Sequence, residues 1–195
     1  LECLYPHELF KTASKGPFFV LDAFFDIQTF IVTPREGLMA RKTALVKLSG
    51  DLINRADVLA WLRKLATEYY VVVVCGGGVQ INEQFEARGF GKNYTTLGRE
   101  TRSFDERQLA RDILEKNQAE IQDLLAREGI PAVVLIPVLD IGSVLCHVNG
   151  DIFVLTSYLG YDKLFILTLE SRIGSKNQQL RNIWAAFDGG KFNEE

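Results

Sequence analysis

The sequence predicts one α/β domain with a mainly parallel central sheet that is covered on both faces. Residues 44–78 follow the order strand, helix, strand, and both strands break into small residues, Ser-Gly at 49–50 and three glycines at 76–78. The second strand, 71–75, is apolar without alternation, as expected for a strand buried on both faces. A chain of 195 residues with 47% apolar content is long enough for one such domain.

Both small-residue turns are expected at one edge of the sheet, because the carboxyl ends of parallel strands meet there. Glycine lets the backbone approach a ligand closely, and the helix that follows adds its positive N-terminal end. Lys47, two residues before the first turn, adds a cation, although a lone strand lysine is more often a surface residue. The sequence therefore predicts a phosphate site. Its predicted backbone contacts are Ser49, Gly50, Gly76, Gly77 and Gly78.

The remaining elements follow from periodicity and turn signals. The residues Ser103 to Glu106 form a capping box that opens a long helix ending near Gly129. The other predicted elements are helices at 54–69, 79–87 and 152–159, strands at 131–139, 144–148 and 163–168, a turn at 140–143, and a loop or lid at 89–101.

Four motifs, in this order, resemble the amino acid kinase family, which includes acetylglutamate kinase, aspartokinase, glutamate 5-kinase, carbamate kinase and uridylate kinase. They are Val-Lys-Leu-Ser-Gly at 46–50, the glycines at 76–78, Gly-Ile-Pro-Ala-Val-Val at 129–134 and Val-Asn-Gly-Asp at 148–151. The resemblance implies a three-layer αβα sandwich and transfer of the γ-phosphoryl group of ATP, with Mg²⁺, to a small carboxylate. A uridylate-kinase-like phosphate acceptor is the alternative.

The resemblance also implies roles for individual residues. Asp151 matches the family aspartate that opens a helix and orients two lysines around the transferring phosphoryl group, and Asn149 matches a substrate contact. Asn-Gly is also a common hairpin turn, and this alternative stays open. Relatives bind the nucleotide just beyond the strand that ends near Thr168.

A second substrate contact is expected in the 89–101 segment. Its Gly-Arg-Glu-Thr sequence at 98–101 resembles the region where relatives hold the carboxylate or phosphate of the substrate. Arg99 matches best by its spacing to Thr101, and Arg102 is its competitor. A guanidinium fork suits such an oxyanion pair.

Departures from the family pattern favour a chain that binds an anion without catalysing phosphoryl transfer. Leu169 and Arg172 replace the usual acidic residue and glycine after the last strand, and His147 stands where acetylglutamate kinase-like members carry asparagine. Lys176 and Lys191 are the candidates for the second lysine. A non-catalytic, anion-binding or regulatory member of the family therefore remains an alternative to the kinase.

Composition limits the partners. A net charge of −3 and a pI near 5.5 argue against a nucleic-acid or membrane-surface binder, so the expected partner is a small molecule. The three cysteines lack metal-type spacing and indicate a reduced, cytoplasmic protein without a metal centre of its own. The family resemblance adds the expectation of a homodimer.

Residues 1–41 are expected to be an extension to the kinase-like domain at 42–195. The only methionine is Met39, directly before the first family-like strand. One hypothesis is that the natural chain starts there. The alternative is an added hairpin that packs on the sheet.

Overall fold

The computed structural model describes residues 11–14, 18–23, 41–95, 97–141 and 144–188. The strands are β1 (Lys11–Ser14), β2 (Phe18–Ala23), β3 (Lys42–Leu48), β4 (Tyr69–Cys75), β5 (Asn93–Thr95), β6 (Gly98–Glu100), β7 (Ala132–Leu135), β8 (Val138–Ile141), β9 (Val144–His147) and β10 (Lys163–Leu169). The helices are α1 (Ala56–Glu68), α2 (Gly78–Ala87), α3 (Phe104–Arg127), α4 (Gly150–Ser157) and α5 (Ile173–Asp188).

The predicted α/β fold with a parallel central sheet is confirmed. The main sheet has the order β1-β2-β10-β3-β4-β7, and the pairs β10–β3, β3–β4 and β4–β7 are parallel. Leu48 pairs with Cys75 in the β3–β4 register, so these two strands end side by side. The Ser-Gly turn and the glycine turn consequently lie at the same edge of the sheet.

Helices cover both faces of the sheet. On one face, the buried side chains of Ala44, Val46 and Leu48 pack with apolar residues of α1 and α3. On the other face, Leu45 packs with residues of α4 and α5. Alternate residues of β3 thus enter two different cores, which explains why the strand shows no polar alternation. Among the helices in the described part of the chain, none has both the length and the apolar character that a membrane crossing needs.

The long helix α3 starts where the capping box predicts. The Ser103 hydroxyl accepts a hydrogen bond from the Glu106 amide at 3.1 Å, and the Glu106 carboxylate accepts one from the Arg102 amide at 2.6 Å. These bonds satisfy amide groups at the helix entrance that have no partner within the helix.

Two sequence-based expectations need correction. The 89–101 segment is not simply a loop, because β5 and β6 form an antiparallel pair within it. The expected continuous strand at 131–139 ends as β7 at Leu135, and the chain then enters the antiparallel pair β8–β9. Pro137 lies at the break and lacks the amide hydrogen that a continuous strand would use.

The segment before β3 contributes strands to the same sheet. β2 pairs antiparallel with both β1 and β10, so it extends the sheet beyond β10. The alternative of an added element on the sheet fits this pairing. Met39, and with it the predicted start of the natural chain, lies outside the described residues.

Side-chain amides from α3 protect the edge strand β7. Gln122 donates to the Ala132 carbonyl at 3.0 Å and accepts from the Val134 amide at 2.9 Å, and Gln118 donates to the Val134 carbonyl at 2.7 Å. These bonds occupy backbone groups that an edge strand otherwise presents to another chain.

Replacing Gln122 with alanine is expected to lower the free energy of unfolding by about 1–2 kcal/mol, because two backbone groups lose their partner. Urea denaturation monitored by circular dichroism measures this change. Gln178→Ala is the control, since among the described residues Gln178 bonds only to the Asn182 side chain on α5, and it should change stability by less than about 0.5 kcal/mol. Equal losses in both variants would contradict the role of Gln122 at the edge.

Candidate functional site

A cavity of about 210 Å³ opens at the sheet edge where β3 and β4 end. It brings together residues from β3, the glycine turn, β6, the start of α4 and α5. The sequence-predicted residues that line it are Lys47, Gly76, Gly77, Gly78, Arg99, Asn149 and Asp151. Residues that lie far apart in the chain thus meet in one place.

Lys47 points into this cavity from β3. The residue is only 7% exposed, and its Nζ donates one hydrogen bond, to the Leu48 carbonyl at 3.0 Å. An ammonium group has three donors, so two remain without a partner among the described residues. Burial lowers the pKa of Lys47, the Asp151 carboxylate opposes this shift, and the Lys176 charge adds to it. A buried cation with free donors is suited to binding an anion.

Gly150 makes the position of Lys47 possible. A Cβ atom at residue 150 would lie 2.8 Å from Cε of Lys47, closer than side-chain packing permits. The first turn of α4 therefore approaches the lysine directly because residue 150 lacks a side chain.

Asp151 is the buried carboxylate of the site. Asn149 caps α4, since its Oδ1 accepts from the amides of Asp151 at 2.8 Å and Ile152 at 3.1 Å. The Asn-Gly sequence therefore begins a helix, and the hairpin alternative is wrong. Asp151 is 4% exposed, and its Oδ1 has no hydrogen-bond partner among the described residues.

Lys176 is the second cation beside Asp151. Its Nζ donates to Asp151 Oδ2 at 2.7 Å and to Gln179 Oε1 at 3.0 Å, from the first turns of α5. Of the two candidates that the family resemblance left for a second lysine, Lys176 and Lys191, Lys176 lies at the site. Lys191 lies outside the described residues. The carboxylate of Asp151 thus pairs with Lys176, and its charge also acts on Lys47 and opposes the lowering of that residue's pKa.

The glycine turn leads into α2, whose N-terminus faces the same cavity. Gly77 is the cap residue, and since glycine has no side chain it cannot bond the first amides of the helix, which begins at Gly78. The first amide groups of a helix lack partners within the helix, and its N-terminal end is electropositive. With Lys47 and Lys176 beside it, this end of α2 completes a positively charged wall.

Arg99, from β6, lines the cavity beside the start of α2. Its Nη2 donates to the Gly78 carbonyl at 3.1 Å, to Asn82 Oδ1 at 2.7 Å and to the Tyr94 hydroxyl at 2.7 Å. All these acceptors are neutral, and the buried Nη1 has no partner among the described residues. Burial lowers the pKa of Arg99. The competitor Arg102 is exposed and does not line the cavity.

Gly98 holds β6 close to Asn149. Its φ of +117° is a backbone conformation that residues with a side chain rarely adopt. A Cβ atom at this residue would also overlap sterically with Asn149 Nδ2. Any side chain at residue 98 would therefore displace the asparagine that caps α4.

Three other predicted residues lie outside this cavity. The Ser49 hydroxyl donates to the Leu167 carbonyl at 3.4 Å, and Gly50 lines a separate cavity of about 310 Å³ between the first turn and α3. Thr168 is buried, and its hydroxyl has no partner among the described residues. Gly76 lines both cavities, so the two are neighbours.

Two charged residues near the site were not predicted as site residues, although Arg172 was noted as a departure from the family pattern. Arg172, after β10, pairs with Asp51, after β3, at 2.5 Å between Nη2 and Oδ2. Arg172 contributes to lowering the pKa of Lys47. The Asp-Arg pair links the ends of two neighbouring strands beside the lysines.

The chemistry of the site depends on charged groups and backbone amides rather than on a cysteine nucleophile. Burial raises the pKa of the Cys75 thiol to about 11, so it stays protonated at neutral pH. Within the described residues, no group of three or more histidine, cysteine, aspartate or glutamate side chains is arranged to hold a metal ion. The groups available for chemistry are the cations, the glycine backbone and Asp151.

A comparison with models of known protein families finds no match to the chain, and a comparison with curated protein sequences finds none either. The functional argument therefore depends on the geometry of the described residues and on the motifs that place them at one sheet edge.

Proposed function

We propose that this chain is an ATP-dependent small-molecule kinase with the fold type of the amino acid kinase family. The single observation that carries the proposal is the arrangement of Lys47, Asp151 and Lys176 beside a helix that begins with glycine. Phosphoryl transfer needs positioning and charge neutralisation more than covalent chemistry, and this arrangement supplies both.

Each residue has a defined task in this proposal. Lys47 binds phosphoryl oxygens with its free donors, and Lys176 offers a second cation across the transferring group. Asp151 orients the lysines. The amides at the start of α2 bind the same oxygens from the backbone side. Together they stabilise the charge that develops in the transition state.

Mg²⁺ fits the site as part of the nucleotide complex. The described residues provide cations and backbone amides, which suit phosphate oxygens, and they provide Asp151 as the one buried carboxylate of the cavity. When bound with the nucleotide, Mg²⁺ would be held on the protein side by the unpartnered Oδ1 of Asp151 and would neutralise part of the phosphate charge. The chain itself holds the phosphates and the acceptor in line.

The proposed acceptor is a small carboxylate of the acetylglutamate or aspartate type, with a nucleoside monophosphate as the alternative. Arg99 and Asn149 also line the cavity, and they are the proposed contacts of the acceptor. A homodimer and a cytoplasmic location belong to the same proposal, because the family resemblance and the cysteine pattern favour them.

A non-catalytic, anion-binding role is the second candidate. Arg172 favours it, because it stands after the last strand where relatives place a glycine, and its guanidinium is paired with Asp51. Lys47, Lys176 and Arg172 would then hold an anion without transferring it.

ADP formation from Mg-ATP distinguishes the two roles. The wild-type chain is incubated with acetylglutamate, aspartate or uridine monophosphate, and ADP is quantified by chromatography. The kinase proposal predicts acceptor-dependent ADP that is lost in Lys176→Ala and kept in Lys64→Ala, a change at an exposed lysine on α1. Binding of ATP without acceptor-dependent ADP across a wider panel of carboxylates and phosphates would favour the non-catalytic role.

A further inference from the structure

A second cavity adjoins the proposed phosphate site and has no role in the proposed function. It is the cavity of about 310 Å³ that Gly50 lines. Gly76 is the one residue that it shares with the cavity of the lysines. Its volume is near the lower end of the range for small-molecule sites and is too large for a single water molecule. This second cavity is therefore a separate candidate site.

Two side-chain amides in the second cavity lack hydrogen-bond partners. Asn117, from α3, is 8% exposed, and its side chain forms no hydrogen bond with the described residues. Gln80, from the first turn of α2, has a buried Oε1 that likewise has no partner among them. Buried amide groups are normally hydrogen-bonded, and leaving one unpaired lowers stability. The two amides indicate a place where a ligand completes the hydrogen bonding.

The two small-residue turns leave space beside these amides. Asn117 Nδ2 lies 3.0 Å from the place where a Cβ atom of residue 77 would stand, and Gln80 Oε1 lies 3.6 Å from the corresponding place at Gly50. A Cβ atom at Gly50 would also come within 2.7 Å of the Gly76 carbonyl oxygen. Side chains at these turns would therefore crowd the amides and push the turns apart.

The rest of the lining favours a neutral ligand with an apolar body. Ile53, Ile121 and Leu124 supply apolar surface. The charged residues of this cavity are Glu120 and Arg127, which have opposite signs and are both exposed. The cavity therefore has no net charge, and no buried charged side chain lines it to select an ion.

We propose that the second cavity binds a small, neutral molecule through a planar amide edge, which is a carbonyl oxygen next to an N–H group. A side-chain amide has one acceptor oxygen and two N–H donors, so Asn117 and Gln80 can each pair with such an edge. Primary carboxamides and nucleobases both carry it, and asparagine and glutamine bind nucleobase edges in this way. The inference does not depend on the proposed kinase, since neither amide lines the cavity of the lysines.

Calorimetric titration with two probes and their matched controls tests the proposal. Nicotinamide carries the edge as a carboxamide, and uracil carries it as a nucleobase. Acetylpyridine and dimethyluracil, which is methylated on both ring nitrogens, keep the rings and carbonyl groups but lack the N–H groups. We expect saturable binding of at least one probe and about tenfold weaker binding of its control. Tighter binding of nicotinamide would identify a carboxamide ligand, and tighter binding of uracil a nucleobase.

Matched variants locate the binding. Asn117→Leu and Gln80→Leu replace an amide with an apolar side chain of similar size, and each should weaken probe binding about tenfold. Asn117→Leu should also raise the midpoint of thermal unfolding, because it removes a buried polar group without a partner. Gln108→Leu, on α3 but outside this cavity, should leave probe binding unchanged. Lys47→Met should leave it unchanged too, since Lys47 lines the other cavity.

Three results would overturn the inference. The first is no saturable binding of either probe by the folded wild type, which would leave the cavity to water. The second is binding that neither Asn117→Leu nor Gln80→Leu weakens, which would place the probe elsewhere. The third is a control compound that binds as tightly as its probe. Failure of the kinase proposal looks different, because ADP formation would then be absent while probe binding persists and stays sensitive to Asn117→Leu.

Discussion

Asp151→Asn is expected to slow phosphoryl transfer by about 10²–10³-fold, the usual loss when one preorganised electrostatic contact is removed. The lysines keep their charge in this variant, but they lose the carboxylate that orients Lys176 at 2.7 Å. Affinity for Mg-ATP should change much less than the rate, because the removed charge is negative and lies beside an anionic ligand. Steady-state kinetics would separate the two effects.

The same substitution should also destabilise the fold. The Asp151 side chain is 5% exposed and that of Lys176 is 18% exposed, so the variant leaves one partly buried cation without its partner. We expect a loss of about 2–4 kcal/mol in the free energy of unfolding, near the lower part of the range for a broken buried ion pair. Asp123→Asn, at an exposed position on α3, is the control. A variant with full transfer activity would contradict the role given to Asp151.

Lys47→Met is expected to have the opposite effect on stability and a larger effect on binding. Lys47 is a buried cation that forms no salt bridge with the described residues, and burial lowers its pKa. Replacing a buried charge with an apolar side chain of similar length should stabilise the protein by about 1–4 kcal/mol. A residue that lowers stability and is required for binding is typical of a functional site.

The stability difference between Lys47→Met and the wild type should depend on pH, and the lowered pKa of Lys47 fixes the direction. Below its lowered pKa, Lys47 is charged in both the folded and the unfolded chain, and the cost of burying the charge is present in full. Between the lowered pKa and the ordinary value of 10.5, the folded chain releases the proton and this cost declines. Thermal unfolding should therefore show that the advantage of Lys47→Met over the wild type shrinks as the pH rises toward 10.5. An advantage that grows with pH would contradict the burial of a charged lysine.

The sequence was informative where backbone geometry forces residues together. Lys47, the glycines at 76–78 and Asp151 lie at strand ends or at a helix start, and parallel strands bring such positions to one edge whatever the intervening chain does. The capping box at Ser103 is equally local, because it needs only residues within one turn. These features depend on short-range rules, and the structure follows them.

Other parts of the site depend on long-range packing that no local pattern encodes. Lys176 acquires its role because α5 packs beside α4, and its own surroundings in the sequence contain no motif. β5 and β6 are three residues each, too short for alternation to show. The strand break at Pro137 is different, since a proline within an apolar run was a signal against a continuous strand.

Calorimetric titration of Mg-ATP into the wild type, Lys47→Met and Lys64→Met tests the central claim most directly. The account predicts saturable binding by the wild type and by Lys64→Met. In Lys47→Met, the dissociation constant should rise by about 10- to 100-fold, in line with the loss of hydrogen bonds to a charged group. Equal affinities in all three proteins, or no binding by a folded wild-type chain, would contradict a phosphate site at the edge where β3 and β4 end.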